Sequence, residues 1–243
     1  MNTIYYIGGI SCAGKSTRVM ALQLFLDTIQ KSEPFAYKNR YGKEKQIGFR
    51  HHLPKGNLLI IGKFITRNGR PAWQGVDSFT EFLQEDLGQG NLYAKLWEWS
   101  KYYSLVLDAS LMLRSPYSRP CASFNNCAAD TYTWMFVADS VEQYAQRLAI
   151  RSTRVVTEES GMWQSNKTFA RHVEKHNEEL RTLAAGLSDK YIATKAPIDL
   201  PVEAIGLRIL QDLAPEYCNS FVQFCVDNLN ELHHIGALNG LDA

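Results

Sequence analysis

The residues best placed to do chemistry lie close to the start of the chain. Gly9-Ile10-Ser11-Cys12-Ala13-Gly14-Lys15-Ser16-Thr17 satisfies the pattern G-x-x-x-x-G-K-[ST] at every fixed position. Glycines at this spacing let successive backbone N–H groups face one concavity, and a helix beginning at its end adds positive potential. Such a stretch suits a polyphosphate. Lys15 would reach the outer phosphates of ATP, and the Ser16 hydroxyl would ligate Mg²⁺. Asp108 closes the apolar run Ser104-Leu105-Val106-Leu107. An acid at that position downstream of a phosphate loop organises Mg²⁺ or its waters. Asp77 follows an apolar segment and a turn-rich stretch; it reads either as a helix N-cap or as a carboxylate facing a phosphoryl acceptor. Arg147 and Arg151 are four apart, with Arg154 one turn on, and Lys167, Arg171 and Lys175 form a second stripe. Converging cations on a helix–loop–helix fit a lid that closes over transferred phosphate. The plainer reading is a solvated face partnered by Glu158, Glu159, Glu174 and Glu178.

Apolar, β-branched runs predict strands near 3–7, 58–64, 104–108, 132–137 and 190–194, with helices between them. The phosphate loop then lies between the first strand and a helix over about 17–31, the context it requires. This alternation predicts an α/β, three-layer P-loop NTPase fold with a five-stranded parallel sheet and a helical lid at about 147–178. Residues 1–214 make the catalytic unit, and 215–243 read as a helical extension with Phe221, Phe224, Cys225 and Leu229 on one face. Turn residues make 66–72 a loop. Residues 35–56 carry Lys38, Arg40, Lys43, Lys45, Arg50 and Lys55, with His51 and His52, and Tyr37 and Tyr41 are interleaved. This stretch is either a solvated connection or a strip for a phosphodiester backbone, where cations supply affinity and aromatics stack.

The 243 residues carry a formal net charge of +1, which conceals an asymmetry. Residues 196–243 hold seven acids against Arg208 alone, so the body preceding them is basic. That suits phosphate-bearing ligands. The five cysteines form no C-x-x-C pair and are odd in number. Reduced thiols in the cytoplasm (the host cytoplasm if the chain is phage-encoded) are expected, rather than a zinc site. Met1-Asn2-Thr3 leads straight into the first strand without a signal peptide, and no apolar run approaches a membrane span.

No N-K-x-D guanine-reading motif is present, because Asn166-Lys167-Thr168-Phe169 lacks the acid. With an early phosphate loop and a late Arg-bearing lid, the chain resembles the nucleoside monophosphate kinase group. A narrower resemblance rests on Leu59-Ile60-Ile61-Gly62-Lys63-Phe64, then Trp73-Gln74-Gly75-Val76-Asp77, and on Gln164 to Phe169 followed by Arg171 to Asn177. These stretches are similar to phage-associated P-loop kinases, including the 5-hydroxymethyluracil DNA kinases of base-hypermodifying phages. Val76 stands where that pattern has Thr, and Phe64 where it has Tyr. The resemblance implies ATP-dependent phosphorylation of a hydroxymethylated pyrimidine already in DNA. For phosphoryl transfer, Lys15, the loop amides and Mg²⁺ would hold ATP, Asp77 or Asp108 would orient or deprotonate the acceptor oxygen, and Arg147, Arg151 and Arg171 of the lid would close over the γ-phosphate. DNA would then be held through the basic 38–55 strip. Two other readings stand beside it: a kinase of a free deoxynucleoside monophosphate or other small metabolite, and an ATP-binding interaction module without transfer.

Overall fold

Strand β1 (Thr3–Gly9) is buried at every position, which requires a cover on both faces and a strand on either side. A computed structural model describes residues 2–9, 13–39, 41–67, 70–75, 91–108, 130–137, 191–197 and 200–232, and places β1 fifth in a seven-stranded sheet. Helix α1 (Lys15–Ile29) follows, then β2 (Glu33–Lys38), β3 (Glu44–Leu53) and β4 (Gly56–Ile61). A small hairpin of β5 (Lys63–Arg67) and β6 (Arg70–Gln74) precedes α2 (Asn91–Ser100), β7 (Ser104–Asp108), β8 (Asp130–Val137) and β9 (Tyr191–Pro197). Helices α3 (Ala204–Leu213) and α4 (Cys218–Asp227) complete the described elements.

The sheet order is β2-β3-β4-β7-β1-β8-β9. Strands β4, β7, β1, β8 and β9 are mutually parallel. After β1 the chain first builds the sheet on the β7 side and then on the β8 side. The order therefore reverses beside β1, where open α/β sheets bind ligands at their C-terminal strand ends.

The five expected strands form the parallel part of a larger sheet, so the five-stranded expectation needs correcting. Strands β2 and β3, which overlap the 35–56 stretch read as a solvated connection or a phosphodiester strip, pair antiparallel, and β3 joins β4. The charges hid this pairing. On β2 only Phe35 and Tyr37 lean inward, with ring centroids 5.1 Å and 5.9 Å from Trp99 of α2. Ile47, His51 and Leu53 give β3 its buried positions. A lysine-bearing edge strand also blunts edge-to-edge pairing. Most of the predicted loop at 66–72 is also strand: β5 and β6 pair antiparallel, with Arg67 opposite Arg70. The apolar run predicted as one strand to residue 64 breaks at Gly62, whose φ of 157° favours glycine and whose Cα lies so close to the Trp73 ring that no Cβ would fit.

One face of the sheet carries Tyr5, Ile7, Leu58, Ile60, Val106 and Phe136 into a core shared with α1, α3 and α4. Phe25 of α1 meets Phe221 of α4 at 5.1 Å between ring centroids. Burying each large apolar side chain contributes about 1.5–3 kcal/mol. A polar tie adds direction. The buried Tyr5 hydroxyl donates to Asp212 at 2.7 Å, and Arg208 pairs with Asp212 at 3.1 Å while lying over the Tyr132 ring. Burial, with the Asp212 carboxylate second, raises the Tyr5 pKa, so the phenol stays protonated. The predicted lid at 147–178 lies outside the described residues. Among the described residues no helix is long and apolar enough to cross a membrane.

Candidate functional site

The site begins where β1 stops. Gly9 has φ 129°, a conformation L side chains rarely adopt, and it packs so closely on the Phe136 backbone of β8 that no Cβ would fit. Gly14 is left-handed at φ 71° and N-caps α1. The chain therefore leaves the sheet and enters the helix through two backbone conformations that favour glycine. Ile10, Ser11 and Cys12, the middle of the predicted loop, lie outside the described residues, whereas Ala13 to Thr17 are described.

Lys15 is only 9% exposed and donates from Nζ to the Gly9 carbonyl oxygen at 3.2 Å. Its ammonium group is thus held across the mouth of the loop. The next residue makes the most informative contact. The Ser16 hydroxyl donates to Oδ2 of Asp108 at 2.5 Å, joining residues 92 positions apart. Strand register explains the meeting, since Asp108 lies opposite Ile7 and both strands end on the same side of the sheet. Asp108 is 5% exposed. The two oxygens predicted to serve Mg²⁺ are therefore adjacent.

Sequence reasoning passed over one residue and gave a second no role of its own. Arg18, 5% exposed, donates from Nη1 to the carbonyl oxygens of Ala13 at 2.9 Å and Gly14 at 3.0 Å. Its Nη2 donates to the Leu200 carbonyl, and its guanidinium lies 4.7 Å from the Phe136 ring centroid. Across a planar trans peptide, C=O and N–H point in opposite directions. Holding the Ala13 and Gly14 carbonyls therefore turns the N–H groups of Gly14 and Lys15 the other way, as an anion-binding concavity requires. Arg18 is a positioning residue, and the available signal was a cation one turn into the helix, just before the apolar run Val19 to Leu22. The other is Gly75. A Cβ there would come 2.6 Å from the Asp108 carbonyl oxygen and 3.1 Å from its Oδ2. The strand β6 thus delivers its end against the Ser16–Asp108 pair, two residues before Asp77.

Asp77 lies outside the described residues, as do Arg147, Arg151 and Arg171. The structure brings together Gly9, Ala13, Gly14, Lys15, Ser16, Thr17 and Asp108. The basic strip divides. His51 is buried under α1 and bonds through Nε2 to Gln23 Oε1 at 2.9 Å. The Gln23 amide donates in turn to Asp27 at 3.0 Å, which orients Oε1 as an acceptor and makes His51 the donor. Burial pushes its pKa down to about 4. Arg50 pairs with Glu33 at 3.3 Å, and His52 bonds Asn57 at 2.8 Å. Of the five cysteines, Cys218 and Cys225 are described and both are free thiols. Burial raises both pKa values, that of Cys225 to about 12.

The donor set fits Mg²⁺. This ion takes hard oxygen ligands, one or two from the protein, and completes its shell with phosphate oxygens and water. A hydroxyl and a carboxylate oxygen in contact are that set. Among the described residues no cluster of three His, Cys, Asp or Glu side chains offers a competing metal site. The buried Lys15 and the helix N-terminus fit the phosphates of ATP.

Comparison with known proteins agrees with this geometry. A family model described as 5-hmdU DNA kinase 2 matches residues 1–195. No curated protein matches the chain. The matched span is most of the molecule and contains the loop, Ser16, Asp108 and the whole sheet short of its last two residues, and so the chain belongs to the 5-hmdU DNA kinase 2 family, whose members are phosphotransferases.

Proposed function

We propose that the protein moves the γ-phosphate of ATP to the hydroxymethyl oxygen of a modified pyrimidine, 5-hydroxymethyluracil, within DNA. The observation that carries this reading is the Ser16–Asp108 contact at 2.5 Å beside the buried Lys15, in a chain of the kinase family just described. Such a site acts mainly by positioning and charge neutralisation. Bound Mg²⁺ would supply Lewis-acid neutralisation of the β- and γ-phosphate oxygens. Ser16 and Asp108 would hold it, and Lys15 with the loop amides would hold the triphosphate.

That assignment leaves Asp77 for the acceptor. The close approach of Gly75 to Asp108 supports it, since a single residue, Val76, separates Gly75 from Asp77. Asp77 would accept the hydroxyl proton as the oxygen bonds to the γ-phosphorus, while the bond from that phosphorus to the bridging oxygen breaks and ADP leaves. Arg147, Arg151 and Arg171 would close over the transferred group. An acceptor base must leave its stack to reach the site.

The decisive experiment follows ³²P from labelled ATP into duplex DNA containing 5-hydroxymethyluracil, with unmodified duplex and free nucleoside monophosphates alongside. Label should enter only the modified duplex. Asp108→Asn should reduce transfer by about 10²-fold or more. Label entering free nucleotides and no DNA would overturn the acceptor. ATP binding without transfer to any acceptor would overturn the enzyme.

A further inference from the structure

The basic strip has two ends, and only one stands beside the phosphate loop. Gly48 of β3 lies opposite Ile61, Ile61 opposite Leu107, and Leu107 opposite Tyr6. These four residues mark one row across the sheet. Gly9 is three residues beyond that row, about 10 Å at strand rise. Because β3 runs the other way, its start at Glu44 rises four residues beyond the same row, about 13 Å. The β2–β3 turn thus reaches the height of the phosphate loop. Laterally, β3 is three strands and β2 four strands from β1, which corresponds to about 14–19 Å.

The turn is built to hold its shape. Asn39, 4% exposed, accepts at Oδ1 from the backbone N–H of Tyr41 at 3.2 Å and of Lys43 at 2.9 Å. Its own N–H donates to the Lys43 carbonyl at 2.9 Å, and its carbonyl accepts from Gly42 at 2.9 Å. This knot presents Tyr41 at 68% exposure, with Lys38 and Lys43 exposed and Lys45 half-buried around it; Glu44 is the acid among them. A rigid turn bearing cations and an outward ring loses little freedom on binding. At the other end of the strip, Arg50 is paired with Glu33, and Lys55 adjoins the end of α3, where its N–H donates to the Leu213 carbonyl.

We propose that this turn is a clamp for the DNA backbone, with Lys43, Lys45 and Lys38 on phosphates and Tyr41 against sugar or base, set off from the base being phosphorylated. The inference rests on the DNA-kinase reading. Its reach is specific. At about 3.4 Å per step along one strand, a lateral offset of 14–19 Å places the clamp about four to six base pairs from the target.

The test compares duplexes carrying one 5-hydroxymethyluracil with flanks of about ten base pairs, or of about two base pairs closed at each end by an uncharged linker that keeps the short helix paired. On the long duplex, Lys43→Ala/Lys45→Ala should raise KM for DNA about tenfold and leave KM for ATP unchanged. The dependence of log KM on log salt should fall by about 2. On the short duplex, variant and wild type should have the same KM. Tyr41→Ala should behave likewise with a smaller effect, and Arg50→Ala should match the wild type on both substrates. If the double variant equals wild type on the long duplex, or loses equally on both, the clamp is overturned while the kinase stands. If wild type phosphorylates neither duplex, the acceptor reading fails and the clamp with it.

Discussion

Cations gather in two regions of this molecule, the β1–α1 junction and the β2–β3 hairpin, and their surroundings differ. At the junction, Lys15 and Arg18 are under a tenth exposed and are held by backbone carbonyls of the loop they serve. On the hairpin, Lys38 and Lys43 are exposed and Lys45 half-buried. A buried, fixed cation acts in a low effective dielectric and needs no reorganisation when charge develops, so it contributes to rate. An exposed cation is screened by salt and contributes mostly to affinity by displacing counterions. Two basic regions in one sequence can therefore take opposite halves of one task. On the function proposed above, one would lower a barrier and the other would gather a polyanion.

The contrast can be broken in several places. Lys15→Met removes the buried charge and should lower kcat about 10³-fold at any salt concentration; salt-dependent recovery would put Lys15 in the class of the hairpin lysines. Next in size is a test on β3 itself, where His51 is buried while its neighbour Arg50 is partly exposed. His51 has a folded-state pKa near 4, against about 6.5 for the unfolded chain. Between these values the unfolded chain binds the proton and the folded one does not, so stability is full above pH 6.5 and falls towards pH 4. The loss is about 3 kcal/mol. Tm should drop across that window in the wild type, and the drop should shrink in His51→Gln; an unchanged slope would assign the acid loss elsewhere.

Arg18→Met should cost about tenfold in kcat by releasing the Ala13 and Gly14 carbonyls, with Arg18→Lys restoring part of it. A lowered Tm with intact kcat would make Arg18 structural only. The smallest effect belongs to Glu33→Gln, which removes the partly exposed partner of Arg50. Such pairs contribute about 0.5 kcal/mol or less, and urea unfolding should register no more.

The sequence announces the junction because its chemistry forces residue types: glycines where the backbone turns, a lysine and a hydroxyl at fixed offsets. The Asp108 strand is readable for a similar reason, an apolar run stopped by an acid. The hairpin is not. On an edge strand most side chains face water, so the period-2 signal of β2 shrinks to Phe35 and Tyr37 among charges. Arg18 was obscured because an arginine on a helix is usually a surface residue, and only the tertiary fold brings Leu200 and Phe136 to it. Gly62 and Gly75 both stand in the stretches that resemble the kinase pattern, but that pattern does not tell what each approaches, which is Trp73 and Asp108. The motif reveals the nucleotide side, while the stretch over 66–72 reads as a plain loop although β5 and β6 pair within it.

The placement of α3 and α4 has a practical consequence for anyone cutting the gene. Similarity to the kinase family ends at residue 195, yet Ile205, Ile209, Leu210, Leu213 and Phe221 complete the core beneath α1, and the Leu200 carbonyl holds Arg18. At about 2 kcal/mol each, those five side chains amount to about 10 kcal/mol, as much as a whole domain's net stability. The span matched by the family model is shorter than the folding unit, and a protein trimmed to that span would be expected to lose its fold.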